Sequence, residues 1–531
     1  MKKLLSTAAL SILTALALTA CGGDTETQTE TDASSASVSS EGETAEAEVE
    51  EELVETDDII RVGQSVGNTN LDPHKEYFGW NDCTYGLNEA LFKVSDDYTV
   101  EPWIAESAEM DGNTWTVKLK DGVCFSNGNP LTSQIVIDNL KRAAEVNNRF
   151  VAFKDWEFAV VDDSTFTITT PSVYVTLPND LSDPSLSMVD LENTESFETN
   201  PICTGPFKVE TFDPGSGDIT LSRNENYWDG VVVLAGADIK WITDDESRLM
   251  AMQNGEIDCY PNVTSSAAEI FAIYPDMYDL VTVPSARIQY YMIHSRVPES
   301  VREAINLIVD KDEIAAYLSG ATIPAVGPFS TEVPYGKAEV PETNVEKAKE
   351  VLEADGYTIG ADGFYQKDGQ PLTINLSTNT MGGRFLDDVA IIMNQQLAAA
   401  GINSSIYQVE NADQYISSGD FDIGFYSMVA DKAGDPYYFL DAILRDDVYL
   451  DCMGYDNQEI QDLLQELLYE EDADKRAELA NEIVQITIDE NMFGWVGIFN
   501  KTTVLSKGVK GFAETSPFDY YGLTASSRLP Q

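Results

Sequence analysis

Histidine is almost missing from this chain: 531 residues contain two, His74 and His294. Bases are scarce as well, 32 Lys and Arg against 91 Asp and Glu, for a formal charge of −59. Each shortage closes a class of function. Nucleic acid and anionic lipid surfaces are bound through clustered Lys and Arg, so neither is an expected partner. Hydrolysis needs an activated nucleophile and a base, and the chain has neither a nucleophile elbow nor a metal-binding motif; no enzyme and no cofactor are expected. The six cysteines, Cys21, Cys83, Cys124, Cys203, Cys259 and Cys452, lie far apart with no CxxC among them. That spacing indicates neither a zinc site nor a dense disulfide framework, and it leaves pairing open. After residue 20 no apolar run is long enough to cross a bilayer.

What is present begins at the first residues. Lys2 and Lys3 precede an apolar run from Leu4 to Ala17, and Leu18-Thr19-Ala20 leads to Cys21 and Gly22-Gly23. A charged start, a short apolar middle and small residues describe a secretory signal peptide over residues 1–20. The Leu-Thr-Ala-Cys ending resembles the lipobox of bacterial lipoproteins, which implies acylation of Cys21 and a lipid anchor on the extracytoplasmic face of the cell membrane, or in the periplasmic space of a cell with an outer membrane. Two acyl chains hold a protein far better than one. From Gly22 to Asp57 the sequence is Glu, Thr, Ser and Ala without an aromatic residue. Residues 21–57 are therefore expected to form a disordered acidic tether, with an average reach of about 30 Å.

Beyond the tether, 43% hydrophobic and 10% aromatic content is that of a globular protein, and the length suggests two or three domains. Thr114 to Leu119 alternates with strand period, and Val160-Val161, Asp162-Asp163 and Thr165 to Ile168 read as a hairpin. Val301, Ala304, Ile305, Ile308 and a later Ile314 fall on one helical face. Asn344 caps a short helix through Ala348, Val351 and Leu352 that ends at Gly356. Further amphipathic helices are expected near Phe385 to Ala400, Asn457 to Leu468 and Asp472 to Ile488. Interleaved strands and helices give an α/β or mixed class.

Several motifs occur in a recognisable order. Leu91-Phe92-Lys93-Val94, Glu101 to Ser107 and Trp115 to Lys120 precede Asp121-Gly122-Val123-Cys124-Phe125-Ser126-Asn127-Gly128-Asn129-Pro130. Thr204-Gly205-Pro206-Phe207, Arg223-Asn224-Glu225-Asn226-Tyr227-Trp228, Asn254 to Asp258, Val301 to Asn306, Lys347-Ala348-Lys349 with Ala354 to Tyr357, Gly419-Asp420-Phe421-Asp422 and Lys507 to Phe512 follow. The series closely resembles the family 5 solute-binding proteins, the extracytoplasmic receptors of peptide and nickel ABC importers. Most of these residues fix turns or pack a core, so they mark the scaffold and not the site.

The resemblance implies an α/β, two-lobed periplasmic-binding-protein fold, type II-like, with a hinge and an extra inserted small domain. Lobe I would comprise 58–90, 201–285 and 501–531, the inserted domain 91–200, and lobe II 286–500. A monomer is expected, serving the permease and ATPase subunits of an ABC importer. In dipeptide-type relatives an aspartate holds the peptide amine and an arginine the carboxylate; Asp431 and Arg384 are the candidates here, the latter only with a gap. Tyr77, Trp80, Met428 and Tyr437, with Tyr438, are candidate cleft residues. The histidine that serves nickel relatives has no counterpart near Pro436, and His74 is the weak candidate for a metal. On Asp431 and that missing histidine the sequence favours a short peptide over a nickel chelate, with another small solute left open.

Overall fold

The computed structural model describes residues 53–378, 386–512 and 515–530. The signal peptide, Cys21, the tether up to residue 52 and Arg384 lie outside the described residues.

An eleven-stranded sheet organises the chain. Its strands are β1 (Ile59–Gln64), β2 (Phe207–Asp213), β3 (Asp218–Arg223), β4 (Gly236–Trp241), β5 (Cys259–Tyr260), β6 (Tyr278–Ile293), β7 (Thr322–Pro324), β8 (Thr373–Thr378), β9 (Asn403–Gln408), β10 (Ile423–Val429) and β11 (Phe493–Ser506). The spatial order is β9-β8-β10-β6-β11-β5-β1-β4-β3-β2, with β7 paired to β11. β6 and β11, 16 and 14 residues long, run antiparallel through the whole assembly and join its two halves.

These two strands alternate between cores as a period of two requires. Ile288, Tyr290 and Met292 of β6 enter one hydrophobic core with Trp495 and Phe493 of β11. Tyr291 and Ile293 enter another on the opposite face with Val496 of β11 and Phe425 of β10. The far ends of the strands repeat the pattern: Leu505 joins the core of Ile60, Val62 and Leu221, while Tyr278 and Val504 join that of Met252 and Phe271. Burial on both faces is why this stretch reads as nearly continuous apolar sequence.

A separate four-stranded sheet orders Ala105–Asp111, Thr114–Leu119, Thr165–Thr169 and Glu157–Val160 side by side. The helix Ser133–Val146 lies over it, and Trp115, Val117, Leu119, Phe166 and Ile168 share a core with Val136 and Leu140. The hairpin read from the sequence is present, with Val160 opposite Phe166. Asn344 accepts from the Lys347 amide at 2.9 Å and caps Val345–Ala354, and Gly356 leaves that helix at φ +88°. One expectation is corrected: the face from Val301 does not continue to Ile314. Asp310 accepts from the Glu313 amide and starts a second helix, Lys311–Tyr317, after Glu299–Ile308 has ended. The three later helices occupy Leu386–Ala399, Gln458–Tyr469 and Ala473–Asp489, the last two capped by Asn457 and Asp472. Cys83, Cys124 and Cys203 are free thiols. Among the described residues no helix is long and apolar enough to cross a membrane.

Candidate functional site

A cavity of about 920 Å³ opens beside the long strands, between Gln64, Tyr77, Trp80 and Lys501 on one side and Arg287, Tyr426, Met428 and Tyr438 on the other. The first wall depends on the helix Phe78–Thr84. A Cβ at Gly79 would stand 2.6 Å from the carbonyl oxygens of Pro73 and Pro184, so only glycine lets this helix pack so closely. Trp80 is then held by its indole, whose Nε1 donates to Asp183 Oδ1 at 2.9 Å. Tyr77 meets it edge-on at 5.2 Å, and the Arg149 guanidinium lies 4.4 Å over the Tyr77 ring.

The second wall comes from three places. Between Pro284 and Ile288 the pairing of β6 with β11 slips. Such irregularities re-aim side chains, and Arg287, inside this one, lines the cavity. β10 supplies Tyr426 and Met428. The helix Tyr437–Leu444 contributes Tyr438, Asp441 and Ala442, and Arg445 just beyond it, one face at helical spacing. Arg445 pairs with Asp441 at 2.6 Å. Lys501, on β11, is buried and donates to the Phe518 carbonyl at 2.8 Å; desolvation lowers its pKa.

The candidates from the sequence divide accordingly. Tyr77, Trp80 and Met428 line the cavity. Tyr437 lies one residue out of phase with the lining face, gives its hydroxyl to Asp441 at 3.0 Å and packs against the core behind. Asp431 is not in the lining. Its carboxylate is buried, takes the Tyr335 hydroxyl on Oδ2 and the Gly434 amide on Oδ1 at 2.7 Å, and burial pushes its pKa up to about 7. His74 is fully enclosed: one ring nitrogen meets the Ser187 carbonyl at 2.9 Å and the other Arg142 at 2.8 Å, where Arg142 also pairs with Asp72. Burial, helped by the Arg142 charge, brings its pKa down to about 4. Both nitrogens are thus occupied in holding a turn. Among the described residues no group of three His, Cys, Asp or Glu side chains could hold a metal ion.

Sequence reasoning missed Arg287, Asp441, Arg445 and Lys501. The spacing of Tyr438, Asp441 and Arg445 was a usable signal, and so was a lone arginine inside the apolar strand of Ala286 and Ile288. The motif residues behave as scaffold. Tyr227 and Trp228 each donate to the buried Glu89 carboxylate at 2.8 Å, and Asn224 reaches the Gly205 carbonyl at 2.8 Å.

The model of the bacterial extracellular solute-binding proteins, family 5, matches residues 99–449, well over half of the chain. The chain belongs to this family. It is similar to the nickel-binding protein NikA of Staphylococcus aureus, 24% identical over 81% of this chain and 87% of that protein. It is also similar to the glutathione-binding protein GsiB of Salmonella typhi, 24% identical over 87% and 92%. The crystal structure of S. aureus NikA in complex with Ni(L-His)2 shares the fold, with a TM-score of 0.73 at 22% identity over 88% of this chain and 99% of that one. The two-lobed α/β architecture and the family are thereby established, and with them a non-catalytic receptor: the extracytoplasmic solute-binding component of an ABC importer.

Proposed function

We propose that the cleft captures nickel already bound by a small chelator and hands it to the permease. The supporting observation is the lining itself. Arg287 and Arg445 can hold carboxylates, and Tyr77, Trp80, Tyr426 and Tyr438 offer ring faces, while no cluster of protein metal ligands stands among the described residues. A metal would have to bring its own ligands. A volume near 920 Å³ is far larger than a bare ion needs and falls in the range of small-molecule sites. Similarity to a nickel-binding protein, and to a structure holding Ni(L-His)2, agrees with this. The reading reverses the preference drawn from Asp431, because that carboxylate is already engaged by Tyr335.

A second reading, a short peptide, is favoured by the presence of both signs of charge in the lining, Arg287 and Lys501 with Asp441 and Asp519, and by similarity to a glutathione-binding protein. Under it Arg384 would take the carboxylate, and Asp431 would exchange Tyr335 for the amine. In either case the lobes have the boundaries expected above, Cys21 carries the lipid, and the acidic tether lets the receptor visit its permease and ATPase.

Thermal shifts of the protein with nickel chloride, nickel with two equivalents of L-histidine, glutathione and dipeptides separate the readings. A ligand at a hundred times its Kd stabilises by about 2.7 kcal/mol. The expected shift comes with nickel-histidine. Equal shifts with nickel alone would mean that the protein supplies the ligands, and a shift with glutathione or dipeptides alone would install the second reading, to be checked by loss of that shift in Asp431→Ala.

A further inference from the structure

Behind the cleft, the loop from Asp431 to Gly434 reaches across from the second half of the molecule and is bonded to the first. Lys432 Nζ lies 2.7 Å from Asp183 Oδ2, with side chains 8% and 0% exposed. The Lys432 carbonyl accepts the Tyr520 hydroxyl at 2.7 Å, and the Ala433 carbonyl accepts the Asn179 amide at 2.6 Å. Gly434, at φ +71°, sits so close to Tyr98 that a Cβ there would overlap its carbonyl oxygen.

Lys432 stands behind both walls of the cleft without lining it. On one side it shares Asp183 with Trp80, whose indole donates to the other carboxylate oxygen. On the other its ammonium lies 4.7 Å over the ring of Tyr438. Two cleft rings, one from each half, are thus referred to a single buried cation. When the halves separate, Lys432 leaves Asp183; Trp80 stays with Asp183 and Tyr438 with Lys432, but the link that fixes one ring relative to the other is lost.

We infer that Lys432 is a positioning residue for solute capture: its bridge to Asp183 latches the halves together and sets Trp80 and Tyr438 at the spacing that grips the solute. This rests on the cleft being the capture site, though not on which solute fills it. Arg149 also pairs with Asp183. Removing Lys432 therefore leaves Asp183 with a counter-ion, which makes it the position to vary.

The test uses the full chain, with nickel-histidine and glutathione as probes. Small-angle scattering without ligand reads the separation of the halves, and tryptophan emission, compared with Trp80→Phe, reads the environment of that ring. Lys432→Met should raise the radius of gyration, shift the Trp80 emission to the red and weaken whichever probe binds by about tenfold, the factor by which a tenfold smaller closed population lowers apparent affinity. Lys432→Arg should restore all three. Scattering and emission identical to the parent in a folded Lys432→Met would overturn the latch, even if neither probe binds. Should that variant fail to fold, the pair Asn179→Ala and Tyr520→Phe loosens the same loop without touching a charge; unchanged scattering there overturns it equally.

Discussion

Asp183 and Asp431 are equally buried, each 2% exposed, and end in opposite states. Asp183 receives Arg149, Lys432, the Trp80 indole and the Ser185 amide. Against the opposing effect of burial, those two cations hold its pKa well below the usual carboxylate range. Asp431 receives a hydroxyl and a backbone amide, and burial pushes its pKa up to about 7. Equal burial with unequal partners teaches that exposure alone does not tell which acid works as a charge. One of them is an anchor for cations; the other is a carboxyl group close to neutrality in a sealed corner.

Removing the anchor should have the largest effect. Asp183→Ala leaves Arg149 and Lys432 together without their counter-ion, and urea denaturation should show a loss of about 3–5 kcal/mol. A loss near zero would end the contrast with Asp431. Binding comes next. Arg287→Ala should weaken solute binding by roughly tenfold or more, the equivalent of one charge-assisted hydrogen bond, with the melting temperature unmoved; calorimetric titration against the probe that shifts the parent measures it.

The pH dependence separates the two acids by sign. The raised pKa of Asp431 makes the folded state keep a proton that the unfolded chain releases above about pH 4. Its contribution to stability therefore declines as pH rises from there to about 7 and is flat beyond. Glu89, pushed up to about 7 by burial, adds to the same decline. Asp431→Asn should flatten part of that slope and leave the remainder; an unchanged slope would mean that Asp431 is charged in its corner. Asp183, with a lowered pKa, contributes stability that is present above about pH 4 and lost as pH falls below it. The smallest effect belongs to a bridge in water: with Lys75 and Glu198 2.6 Å apart and 38% and 60% exposed, Lys75→Ala should leave the urea midpoint where it is in the parent.

How much was legible follows from the range of the interactions. Asn344, Asn457 and Asp472 announced their helices because a cap bonds to an amide three residues on. The hairpin at Val160 was legible because its turn lies between its strands. Ile314 was misassigned where two signals competed, since apolar periodicity ran past a cap that the Asp310 side chain imposes. Tyr77, Trp80 and Met428, expected as cleft residues, line the cavity with Tyr438, whereas Tyr437, named beside Tyr438, is turned about 100° from it along the helix and gives its hydroxyl to Asp441. Asp431 pointed to an amine because sequence cannot show that Tyr335 already occupies it.

By itself the sequence determined the family and the alternation of strands and helices, because each is written in neighbouring residues. Only the tertiary structure decided that Arg287 and Arg445 line the cavity, that His74 is enclosed, and that Lys432 meets Asp183. Those outcomes depend on groups far apart in the chain, such as His74 with Ser187 and Asp183 with Lys432, and no local pattern encodes a contact between such distant segments.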